Sequence, residues 1–282
     1  MLWAGNMIVS RLVVADFGFP PLWFNLLRSV ILALVMLPWL FPIPRDLGRV
    51  VLVTFAMSGG GVSLVYIGLK DATASAASIV SLSSAPLTVI FAVIFLGEVV
   101  KWRRAAGIAL TFVGVIVAIA SPSDMEASIG LIIIFVAALC GALGAVFLKR
   151  LDVSALRLQA WAGASSTFFL LPLSLIFEGG QMQAMQAAGW PLIVALLYAA
   201  LGVSVVAHTL YYRILQNHDA NVVAPLTLMT PLFTVLGAAF ITGEAVGWPL
   251  LLGGGIASVG VLVILLRPSS PLLKAFMIRP RV

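Results

Sequence analysis

FLGEVVKWRRAAGIALTFVGV, from Phe95 to Val115, has the frame G-E-x3-W-x4-G-x6-G, and that frame returns as GEAVGWPLLLGGGIASVGV from Gly243 to Val261. The first copy carries Lys101, Arg103 and Arg104; the second has no basic residue at all. Adding 146 to a residue number takes Gly97, Glu98, Trp102, Gly107 and Gly114 onto Gly243, Glu244, Trp248, Gly253 and Gly260. The same offset takes Ser58 to Ser204, Tyr66 to Tyr212 and Leu69 to Leu215, so the chain is a duplication. Its copies differ in charge, and that difference bears on how they sit.

The surroundings of the frame are apolar. Hydrophobic residues make up 62% of the 282 and charged residues 9%, with a mean hydropathy of +1.17, which marks a membrane protein. A bilayer core about 30 Å thick takes about 20 apolar residues per helical crossing. Ten such runs are predicted, at residues 1–16, 20–41, 48–69, 72–96, 102–120, 129–148, 154–177, 190–214, 219–242 and 247–266. They are continuously apolar and too long for barrel strands, and backbone in lipid must bond within its own segment, so they are read as helices.

Thirteen of the sixteen basic residues fall in one alternating set of connections and tails, and Lys70 stands alone in the other. By the positive-inside rule both termini are then cytoplasmic. Each half holds five crossings, an odd number, so the second half enters the membrane in the opposite sense. The first copy of the frame turns at the cytoplasmic face with its basic residues, and the second turns outside without them. Residues 1–120 and 129–266 are thus expected as inverted halves, followed by a basic cytoplasmic tail over 267–282. Inverted repeats of this kind build many secondary transporters around a central cavity.

Within the frame, Gly97 and Gly243 suit helix C-caps, and Glu98 and Glu244 are expected to meet the positive end of the helix that follows. Gly107 with Gly114, and Gly253 with Gly260, share a helix face and fit close helix packing. Two inverted five-helix halves, each ending in P-L-x(9 or 10)-G-E-x3-W-x4-G-x6-G-V, resemble the drug/metabolite transporter superfamily and its EamA-type exporters, aromatic amino-acid exporters of the YddG type among them. In one respect the chain departs from that pattern: matching Gly5 to Gly144 implies a first span that begins ahead of Met1. The resemblance implies a monomeric, multi-pass protein of a bacterial-type inner membrane. It would export small metabolites, amino acids in particular, by alternating access.

Polar residues inside the runs are the candidate substrate contacts, since exposing them to lipid is costly. Ser78 and Ser81 belong to a hydroxyl stripe on a run bent by Pro86, suited either to a cavity wall or to bonds between helices. Ser204, His208 and Tyr211 share a helix face, and His208 replaces a valine of the first half. Where the halves agree, as at Ser58 and Ser204, scaffold is expected; where they differ, function. Arg28 lies two turns into the second run, with no acidic residue deep in any helix to pair with it. It either reaches the rim or backbone carbonyls, or meets the carboxylate of a cargo. Trp3, Asn6, Tyr66, Trp161 and Tyr212 offer stacking faces or amide contacts, while Trp102 and Trp248 read as belt anchors.

Other classes find less support. Cys140 is the lone cysteine, and His208 and His218 are the only histidines, so no metal site or cofactor is expected. No phosphate-binding G-x4-G-K-[ST] motif occurs, and no soluble basic module for nucleic acid. A membrane-embedded enzyme lacks a nucleophile with its base, and a passive channel calls for a more continuous polar path.

Overall fold

A computed structural model describes residues 1–121, 125–148, 150–210 and 220–265. Every regular element among them is helical. We number these α1 (Leu2–Arg11), α2 (Pro21–Val35), α3 (Leu47–Gly68), α4 (Ala74–Leu96), α5 (Trp102–Ile119), α6 (Met125–Leu148), α7 (Ala155–Phe177), α8 (Gln181–Leu210), α9 (Ala220–Ile241) and α10 (Trp248–Leu265). Seven of them, α3 to α8 and α10, are long and apolar enough to cross a membrane, and α2 and residues Leu228–Ile241 of α9 are shorter apolar helices. Trp102 and Trp248 stand 75% and 76% exposed at the starts of α5 and α10, as an outward belt requires.

Helix ends follow glycine. Gly97 and Gly243 take φ of +69° and +66°, a region where only glycine avoids a Cβ clash. Both turns then close alike: the Glu98 N–H donates to the Ala92 carbonyl at 3.3 Å and the Glu244 N–H to the Ala238 carbonyl at 3.4 Å, each reaching back six residues across the glycine to a carbonyl of the last turn. Glu244 goes elsewhere than expected. Glu244 accepts from the Ser75 N–H at 3.1 Å, so it meets the N-terminus of α4, far away in sequence, and not that of α10.

A second carboxylate does the same for α2. Glu178, just past the end of α7, accepts from the Leu22 and Trp23 N–H groups at 2.7 and 2.9 Å, and its Oε2 also accepts from the Ser174 hydroxyl at 2.7 Å. The first-turn N–H groups of α2 have no helical partner, so this carboxylate satisfies two of them and meets the dipole. Glu178→Ala is expected to lower the stability of the detergent-solubilised protein by about 1–2 kcal/mol, read as a fall in thermal midpoint.

Small residues set the helix pairs. Gly107 faces Gly260 and Gly114 faces Gly253, so α5 and α10 run antiparallel in backbone contact: a Cβ added at Gly107 would lie 2.8 Å from the Gly260 carbonyl oxygen, and one at Gly114 2.5 Å from that of Gly253. Gly68 and Gly130 join α3 to α6 in the same manner, and Gly163 of α7 lies against the backbone of Leu32 and Ala33 of α2. Lipid offers no hydrophobic drive for helix association, so such close approach is what holds the pairs.

Four helices depart from α-geometry. Residues Phe55–Gly61 of α3 and Tyr198–Ala207 of α8 form wider π-helical turns, and α1 continues as one over Leu12–Asp16. In α4 the turn Ser81–Ser83 tightens to 3₁₀ ahead of Pro86, whose ring displaces the carbonyl four residues back. Gly189, with φ of +58° and ψ of −148°, breaks α8 in two, so the run predicted from residue 190 starts at that break and a separate helical segment over 181–188 precedes it.

Candidate functional site

Arg28 is 4% exposed, and its guanidinium neither reaches the rim nor bonds a backbone carbonyl, which corrects the first of its two expected readings. Its Nε donates to Asn25 Oδ1 at 3.0 Å, Nη1 to Ser204 Oγ at 2.9 Å and Nη2 to Ser58 Oγ at 3.0 Å. Asn25 and Arg28 are three apart on α2, so they share a face. Asn25 is itself fixed: its amide donates to the Ser58 and Gly59 carbonyls at 3.1 and 3.0 Å and to Ser63 Oγ at 2.8 Å. The Ser58 and Gly59 carbonyls lie in the π-helical turns of α3, where i→i+5 bonding leaves oxygens turned out of the helix.

Ser58 and Ser204 are partners under the 146-residue offset, and each belongs to a π-helical stretch. They grip opposite terminal nitrogens of one arginine. Agreement between the halves therefore marks the cradle of the charge here, not scaffold alone. Ser204 also donates to the Ala199 carbonyl at 2.9 Å, and His208 Nδ1 donates to the Val203 carbonyl at 2.9 Å.

These groups line a cavity of about 110 Å³ walled by α2, α3, α6, α7 and α8. Arg28, Thr54, Ser58, Gln159, Ser204 and His208 give it a polar side, and Met57, Val62, Leu148, Leu158 and Ala162 an apolar one. The volume exceeds the 10–15 Å³ or so that one water needs but falls below the roughly 300 Å³ typical of small-molecule pockets. No carboxylate faces the guanidinium among the described residues; the ion pairs found there are Arg11 with Asp16 and Arg49 with Asp46. Isolated buried charge is costly, and three bonds to neutral side chains offset only part of that cost.

Of the other sequence candidates, Trp3 stands edge-on to His208, ring centroids 5.5 Å apart, next to the cavity. Asn6 Oδ1 and the Trp161 indole N–H are buried without a hydrogen-bond partner among the described residues, Asn6 on α1 and Trp161 two positions from Gln159 on α7. Tyr66 is 1% exposed and packs at 5.1 Å on Phe24, so its ring is taken up by the core and does not line the cavity. Ser78 and Ser81 also lie elsewhere: their hydroxyls donate to the Ser75 and Ala77 carbonyls of their own helix, serving neither the cavity nor a neighbouring helix. Tyr211 and Tyr212 lie outside the described residues.

Asn25, Thr54 and Gln159 enter the site without having been singled out from sequence, and Ser58, expected as scaffold, joins them. Each is a polar residue within an apolar run, and Asn25 has the further signal of sitting one helical turn before Arg28.

Known proteins share this architecture. Over 276 residues, 93% of this chain and 91% of the relative, the sequence is 25% identical to a probable amino-acid metabolite efflux pump of Salmonella typhimurium. It is 29% identical to the uncharacterized transporter YdeK of Bacillus subtilis over 89% of this chain and 88% of that one, and 26% identical to an uncharacterized transporter of Archaeoglobus fulgidus over 93% and 92%. A solved crystal structure superposes with a TM-score of 0.55 at 16% identity, covering 93% of this chain and 95% of that one, a likeness of fold alone. The EamA-like transporter family matches residues 1–120 and again 128–266, so the chain belongs to that family, within the drug/metabolite transporter superfamily.

Proposed function

We propose that the protein is a secondary exporter of small amphipathic metabolites, amino acids or compounds derived from them, working by alternating access across a bacterial-type inner membrane. The observation that carries the reading is the Arg28 cavity: a buried, unneutralised guanidinium held by both halves of a duplicated membrane chain. Ten crossings arranged as two inverted halves supply the path to it. The antiparallel contact of α5 with α10, which are related by the 146-residue offset, supports that inversion, as does the like closure of the turns at Gly97 and Gly243. The names of the Salmonella typhimurium and Escherichia coli relatives, probable amino-acid metabolite efflux pumps, support the cargo class.

In this reading Arg28 holds the acidic end of the cargo, the apolar wall holds its tail, and Trp3, Asn6, Trp161 and His208 meet the rest as the cavity widens. Ser78, Ser81 and Tyr66 remain candidates for a conformation in which the helices have moved, and Tyr211 and Tyr212 remain candidates as read from the sequence. The test is flux of labelled amino acids and their derivatives through liposomes holding the purified protein, with and without a pH gradient. Movement above that of protein-free liposomes upholds the assignment; no movement of any small metabolite, with hydrolysis of an offered substrate, overturns it in favour of an enzyme. His208→Ala is expected to slow the flux about tenfold with insertion unchanged, because it removes a cavity group that also anchors Trp3.

A further inference from the structure

The walls of the Arg28 cavity hold positive charge or none. Among the described residues the carboxylates fall at helix ends or in connections, where Asp16 pairs with Arg11, Asp46 with Arg49, Glu178 meets α2 and Glu244 meets α4. A guanidinium has five N–H donors. Three are used by Asn25, Ser58 and Ser204, leaving one on each terminal nitrogen, the number a carboxylate accepts with its two oxygens. An ammonium entering the same space would find a like charge and no carboxylate to replace its water.

Resting on the exporter reading, we infer that the cargo seated on Arg28 is a monoanion: a small carboxylate with a short apolar tail and no ammonium, of the 2-oxo or 2-hydroxy acid class. The loaded site is then neutral and the emptied one carries a single positive charge. Each turnover moves one negative charge outward, so an interior-negative membrane potential drives export without a coupling proton or ion. That accounts for an exporter with no carboxylate deep in its helices among the described residues.

The experiment pairs compounds that differ only at the amino carbon: pyruvate against alanine, and 3-methyl-2-oxobutanoate against valine. Liposomes holding the full chain are loaded with each, the potential is set by potassium and valinomycin, and efflux and current are recorded. Expected are oxo-acid efflux at least about tenfold faster than that of the paired amino acid, an outward movement of negative charge, and acceleration of about tenfold when the loaded side is negative. Arg28→Gln should abolish the oxo-acid current, and Arg28→Lys, which keeps the charge and loses the fork, should retain its sign at reduced rate. The sign of the current in the unaltered protein needs neither variant to fold.

Alanine or valine moving faster than its oxo acid, or oxo acids moving without current, overturns the inference while leaving an exporter in place. If neither kind of compound moves, the exporter reading falls with it.

Discussion

Gly114→Leu is expected to abolish accumulation of folded protein in the membrane. At this position α5 and α10 meet backbone to backbone: an added Cβ falls within 3 Å of the Gly253 carbonyl oxygen and of Ala257 backbone atoms, none of which can rotate away as a side-chain tip would. Gly114 is fully enclosed and its partner Gly253 is equally tight, so the two helices would have to separate along their length. Overpacking a well-fitted core costs about 1–3 kcal/mol where side chains relax, and more where backbone blocks them. The check is the yield of monodisperse protein after extraction, with Gly255→Leu as the comparison, since nothing lies within 4 Å of that position and its yield is expected to hold.

Asn25→Asp should bring transport to background, a fall of about a hundredfold or more, in a protein that still inserts. The substituted carboxylate would stand where Asn25 Oδ1 lies, 3.0 Å from Arg28 Nε, and neutralise the charge that the cavity otherwise presents. It also loses the amide donors to the Ser58 and Gly59 carbonyls and Ser63, a cost of about 1–3 kcal/mol for each buried acceptor left without a donor. Asn25→Leu separates the two effects: it loses the same donors but leaves the guanidinium charged. Parallel flux and thermal-stability measurements should show Asn25→Asp losing flux beyond its loss of stability, relative to Asn25→Leu. Equal flux in the two would mean that Asn25 acts through packing alone.

The sequence reads well wherever a constraint is local or repeated. Gly97 and Gly243 end helices for a reason contained in their own backbone angles, and the glycine spacing of α5 and α10 foretells close packing because seven residues make about two turns. Arg28 stood out because its cost in an apolar run does not depend on what surrounds it. The choice between its two readings was not local, since it turned on serines 30 and 176 residues away. The partners that Ser78 and Ser81 take were hidden for a related reason. A hydroxyl in an apolar helix can return to a carbonyl of its own preceding turn, and periodicity gives the face it occupies but not which partner it takes. Glu244 caps α4 and not α10 because chain neighbours are not always neighbours in space.

The wide turns of α3 and α8 have a consequence for grip. Each stretch carries more residues per revolution than an α-helix, so drawing one back to ordinary winding rotates whatever lies beyond it by a large part of about 100°. Ser58 and Ser204 ride on those stretches, and rewinding either would pull a fastening off the guanidinium without disturbing α2, where the charge is rooted. The grip on Arg28 thus depends on how two stretches of helix are wound, one in each half of the duplication.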